Sequence, residues 1–136
     1  MILRPHHLLC LLAFRGVAES TALGLRMEKM RQRYLGGEAV SIREGHDTIC
    51  AQCPHMEPGT TCGSEAGAVT SDELDRRIVD LLGLSAGSTT DIQKVAEILA
   101  HVSDETLLKV CKGCSWRDTM NCMPCIRETV DGLTTP

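Results

Sequence analysis

"TALGLRMEKMRQRYLGG", residues 21–37, sets Leu23, Met27, Met30 and Tyr34 at intervals of four, three and four. Those intervals gather the four side chains on one face of an α-helix and scatter them over both faces of a strand. Gly36-Gly37 then supplies a stop. The same period recurs on both sides. Upstream, Pro5 suits the first turn of a helix over Arg4–Val17, where its missing N–H costs nothing, and His7, Cys10, Leu11 and Phe14 share a face. Downstream, "AVSIR" (39–43) alternates for the length of one short strand. Thr70 and Glu73 form a capping box for a helix carrying Leu74, Ile78, Leu81 and Leu82, closed by Gly83. Residues 83–89 read as a loop. A helix from about Thr90 carries Ile92, Val95, Leu99 and Val102. Ser103 caps a short helix with Leu107, Leu108 and Val110, and Pro124 opens a terminal helical turn with Cys125 near its start. The expected fold is mainly α: a small, single-domain helical protein, residues 1–136, with cysteine-rich metal-binding loops and at most a short β element.

Composition agrees. Apolar residues make up 43% of the 136-residue chain, yet it contains one Phe, one Tyr and one Trp. A Leu-, Val-, Ile-, Ala- and Met-based core suits packed helices better than a β-sandwich. The net charge of −4 is spread without like-charge runs, so neither nucleic acid nor an anionic membrane is an expected partner. The apolar stretch Leu8–Phe14 is too short for a membrane span, and with Arg15 directly behind it and no small-residue cleavage site it makes a poor signal peptide. A cytoplasmic location is expected, and there cysteines stay reduced and bind metal or do redox work rather than form structural disulfides.

Eight cysteines are far more than such a chain ordinarily carries. Cys50, Cys53 and Cys62 follow C-x2-C-x8-C; Cys111, Cys114 and Cys122 follow C-x2-C-x7-C. A C-x2-C pair turns two thiolates toward one point, and a third cysteine eight or nine residues on can return to it, so each triplet offers three soft ligands. Two sets of four close if Cys10 joins the first triplet and Cys125 the second. Cys125 is the local choice, three residues beyond Cys122 and near a helix N-terminus that favours thiolate. Cys10 also has a plain reading as a small buried hydrophobe. The 3+1 pattern, Pro54 behind Cys53, and Gly63 and Gly113 beside ligands point to iron–sulfur binding, with one or two clusters of the 4Fe-4S type. Zinc is the alternative, and redox-active thiols without metal come third.

The head "LRPHHLLCLL", the segment "ICAQCP" with Cys62 behind it, and "CKGCSW" with Cys122 together resemble the bacterial and archaeal family called domain of unknown function 1284. That resemblance implies cluster binding and no established reaction. His7 and His6 are candidates for supporting the cluster, as ligand, as hydrogen-bond donor to a cysteine sulfur or as proton donor, with His7 ahead because it shares the face of Cys10. Arg4, Lys112 and Arg117 read as solvated charges. No paired carboxylates, nucleophile motif, phosphate loop or dinucleotide fingerprint is present. Three function classes follow: a redox or electron-transfer protein with a partner protein of unknown identity, a zinc-stabilised interaction module, and a cluster-dependent enzyme.

Overall fold

The computed structural model describes residues 1–16, 21–43, 71–85, 87–111 and 122–134. The protein is mostly helical with a small sheet. The described residues form, in chain order, strand β1 (Ile2–Leu3), helix α1 (His7–Ala13), α2 (Thr21–Leu35), β2 (Val40–Ile42), α3 (Ser71–Leu82), β3 (Thr89–Thr90), α4 (Ile92–Ala100), α5 (Asp104–Val110) and α6 (Cys122–Thr134).

The stripe on α2 falls as its spacing demands: Leu23, Met27, Met30 and Tyr34 are its buried residues. The glycine stop is a Schellman closure, in which the Glu38 N–H donates to the Arg33 carbonyl and the Gly37 N–H to that of Tyr34, with Gly37 at φ +98°. Gly83 ends α3 in the same way: its φ is +66°, and the Leu84 N–H reaches back to the Val79 carbonyl. Leu74, Ile78 and Leu82 of α3 are buried, while Thr70, the other half of the proposed capping box, lies outside the described residues. Asp91 caps α4 by accepting from the Lys94 N–H at 3.0 Å. Ser103 caps α5 by accepting from the Thr106 N–H at 3.2 Å. On α5 Leu107 is fully buried, whereas Leu108, next along a helix with one face inward, is exposed.

Two expectations need correcting. The first helix is shorter than Arg4–Val17. Backbone bonds from the His7 N–H to the Arg4 carbonyl and from the Leu8 N–H to the Pro5 carbonyl start the coil where Pro5 suggested. Phe14 then turns extended, with ψ 131°, and Val17 lies outside the described residues. Residues 2–3 are drawn instead into a strand parallel to β2. The "AVSIR" strand is thus the middle of three, with β3 antiparallel on its other side. Thr89–Thr90 lies in that sheet, and the helix beyond it begins at Ile92.

The core runs from Leu3 through α1 to the inner faces of α2, α3, α4 and α6. Helix α1 is its axis. Arg15 and Thr129 tie α1 to α6: Arg15 donates to the Leu12 carbonyl at 2.9 Å, to the Cys125 carbonyl at 3.1 Å and to Thr129 Oγ1 at 2.9 Å. Thr129 Oγ1 donates in turn to the Leu12 carbonyl at 2.9 Å. These bonds satisfy carbonyls at the C-terminus of a short helix that would otherwise lack donors. No described helix is long and apolar enough to cross a membrane.

Candidate functional site

Of the eight candidate cysteine ligands, Cys10, Cys111, Cys122 and Cys125 fall among the described residues. Each carries a thiol rather than half of a disulfide. Cys50, Cys53, Cys62 and Cys114 lie outside them, as do Lys112 and Arg117. Cys111 is the C-cap of α5 and half-buried. Cys122 opens α6 and is buried, and Cys125 follows one turn on, half-buried against the core. Pro124 sits in that first turn, where its missing N–H costs nothing, but Cys122 rather than Pro124 opens the helix, which runs for 13 residues rather than a single turn. No three His, Cys, Asp or Glu side chains converge on one point among the described residues.

Cys10 does not follow its plain reading. His7, Leu8, Leu9, Leu11, Leu12 and Ala13 are all buried in α1, and Cys10 alone in that helix keeps part of its surface. His6, the N-cap one turn before it, is also partly exposed. The accessible strip of α1 therefore runs through His6 and Cys10.

A polar cluster sits at the head of this strip, and one of its members had no place in the sequence reading. Asp75 projects from α3 and takes two donors on each carboxylate oxygen. On Oδ2 it accepts Arg4 Nε at 2.9 Å and Arg4 Nη2 at 2.7 Å. On Oδ1 it accepts the His6 backbone N–H at 2.9 Å and His6 Nδ1 at 2.6 Å. A carboxylate has about four lone-pair positions, and here all are used. Arg4 is fully buried, which corrects its reading as a solvated charge: the guanidinium lies inside because Asp75 meets it there. One signal was available. Asp75 stands three and seven residues before Ile78 and Leu82, on the apolar stripe of α3, where an acid is out of place unless it has a buried partner.

Electrostatics fix the state of the cluster. Burial, helped by neighbouring His7 and opposed by Asp75, lowers His6 from 6.5 to about 4. The ring is neutral at physiological pH. Burial alone would raise the Asp75 carboxyl, but the hydrogen bond from His6, the charges of His6 and Arg4, and the His6 N–H outweigh it and hold the group below the usual carboxylate range. A neutral imidazole facing an ionised carboxylate through Nδ1 carries its proton on Nδ1, leaving a lone pair on Nε2. His7 is differently placed. It is buried, with its ring centroid 4.3 Å from that of His6 and tilted 59°. Asp75 orders His6 through both its backbone N–H and its ring.

No curated protein and no solved structure matches the chain. One family model does, over residues 24–120, a span that takes in Cys50, Cys53, Cys62, Cys111 and Cys114 and leaves Cys10, Cys122 and Cys125 outside. That family is described as "protein of unknown function (DUF1284)", and the chain belongs to it.

Proposed function

We propose that the protein binds iron–sulfur, in one or two 4Fe-4S clusters, and works as a redox or electron-transfer protein toward a partner protein. The single observation that carries this reading is the near-repeat of the two triplets, Cys50, Cys53, Cys62 and Cys111, Cys114, Cys122. Cys10 and Cys125 complete the two sets of four. The chemistry of the donors fits the group. The four described cysteines are thiols, Cys10 is the one residue of α1 held partly open, and Cys125 lies in the first turn of a helix, three residues past Cys122. When bound, a cluster supplies one-electron chemistry at a potential set by its ligands, hydrogen bonds and exposure. The chain's own residues hold it and shield it from water.

The test is anaerobic reconstitution with iron and sulfide. The expected product is brown, contains acid-labile sulfide, and has a broad visible absorption that dithionite bleaches. A colourless protein with stoichiometric zinc would replace this reading by a zinc-stabilised interaction module, in which the metal contributes folding free energy.

A further inference from the structure

We infer that His6 is a metal ligand through Nε2 on the face of α1 that carries Cys10, the two residues filling two of the four protein-donor places of one cluster, one iron each, with one cysteine of the first triplet released from ligation, and that Asp75 and Arg4 are the positioning residues that aim it. The inference rests on the iron–sulfur reading for the identity of the metal and not for the geometry of the pair.

The spacing is the first support. His6 has helical dihedrals, φ −67° and ψ −23°, and the Cys10 N–H donates to the His6 carbonyl at 3.0 Å. The two residues are therefore one full helical turn apart. Side chains four apart on a helix are neighbours, about 5–6 Å between Cβ atoms, and this is the spacing by which helices present paired metal ligands. Exposure is the second. In a helix otherwise packed on all sides, these two positions form the accessible strip. The third is the ring's fixed orientation. Nδ1 donates to Asp75 Oδ1 at 2.6 Å, and Asp75 is held in turn by the backbone N–H of His6 and by two nitrogens of Arg4. A histidine that binds metal through one nitrogen characteristically donates its other N–H to a carboxylate, which fixes the tautomer and raises ligand basicity. Arg4 and the His6 backbone N–H fill three of the four acceptor positions of Asp75, and the imidazole takes the fourth. His7, buried with its ring against that of His6, is the comparison variant.

The experiment is pulsed electron paramagnetic resonance on the dithionite-reduced, reconstituted protein, with and without 15N-histidine labelling. The parent and His7→Ala are expected to show the strong hyperfine coupling of a coordinated histidine nitrogen. His6→Ala should lose it. Asp75→Asn, with helical content checked by circular dichroism, should keep the coupling but bind metal roughly 10- to 100-fold more weakly, the usual effect of removing a group that orients a ligand. A cluster that forms without strong histidine coupling overturns the inference and leaves the iron–sulfur reading intact. If no cluster forms, that reading fails and Co2+ titration of the apoprotein decides. A drop of at least 10-fold in Co2+ affinity on His6→Ala, with His7→Ala unchanged, supports the His6–Cys10 pair; equal affinity in the parent and His6→Ala overturns it.

Discussion

Asp75 and His6 make the sharpest claims of any single residues. Asp75 is the carboxylate partner of a fully buried guanidinium, so Asp75→Ala leaves Arg4 charged in the interior without that partner. A loss of about 3–5 kcal/mol is expected, measurable by urea unfolding; a loss under about 1 kcal/mol would mean that Asp75 does not hold Arg4. His6 gives a pH signature. Its folded value of about 4 lies below the ordinary 6.5, so between those values the unfolded chain binds a proton that the folded chain refuses. Stability of the metal-free protein must therefore fall as pH drops through that window, by up to about 3 kcal/mol. Asp75 has its own carboxyl lowered, so its stabilisation is present above the usual carboxylate range and is lost only at more acid pH. The two contributions separate. His6→Asn, which keeps an N–H donor but does not titrate, should flatten the dependence of the urea midpoint between pH 6.5 and about 4. An unchanged slope would assign it elsewhere. Single residues such as these were the least legible feature of the sequence. Arg4 looks like any head-of-chain cation, and the carboxylate that meets it inside lies 71 positions away.

Helices were legible wherever one buried stripe and a terminator coincide in sequence. For α2, α3, α4 and α5 the stripe spacing is local, as are the Gly stops of α2 and α3 and the Ser103 cap of α5, so the chain itself writes them. Strands β1 and β3, two residues each, are too short for alternation to register. They exist because β2 offers its two edges to whatever the fold brings near. The same dependence on tertiary context shortens α1. Among terminators, Gly37 is the cleanest to test. A Cβ there meets nothing within 4 Å and the backbone sits at φ +98°, so Gly37→Ala carries the cost of the conformation alone, about 1 kcal/mol, visible as a lowered thermal midpoint. Arg127 tests a C-terminus. It donates to the Leu99 carbonyl at 2.8 Å, to the Val102 carbonyl and to Asp104 at 2.6 Å, linking α6 to the end of α4 and the start of α5. Arg127→Met keeps the stem and removes the donors, with an expected loss of about 1–3 kcal/mol. A stability within error of the parent would make these bonds incidental.

Across the whole molecule, the two cysteines proposed to complete the two sets ride on helices that touch. Cys10 lies on α1 and Cys125 on α6, and the Arg15–Thr129 bonds lock those helices together across 114 positions of sequence. Nothing local in either segment announces that pairing, whereas the triplets are announced by their own spacing. The juxtaposition poses the question of whether Cys10 and Cys125 serve one centre or two. Local closure assigns Cys125 to the second triplet, three residues past Cys122, and leaves Cys10 to the first, which has no nearer unassigned cysteine. Two four-iron clusters then require about eight irons per chain, and one shared centre about four. Under the two-centre assignment Cys125→Ala should lose about half of the iron and Cys10→Ala the other half, each keeping the visible absorption of the remaining cluster. A single shared centre predicts instead that either substitution depletes the whole of a four-iron complement. Full iron retention in both variants would remove Cys10 and Cys125 from the ligand set altogether. Since Cys125 also packs against the core and its carbonyl accepts from Arg15, circular dichroism must show normal helical content before iron loss is read as ligand loss. Alanine at either position removes only the sulfur from a half-buried site, so the helices are expected to pass that check.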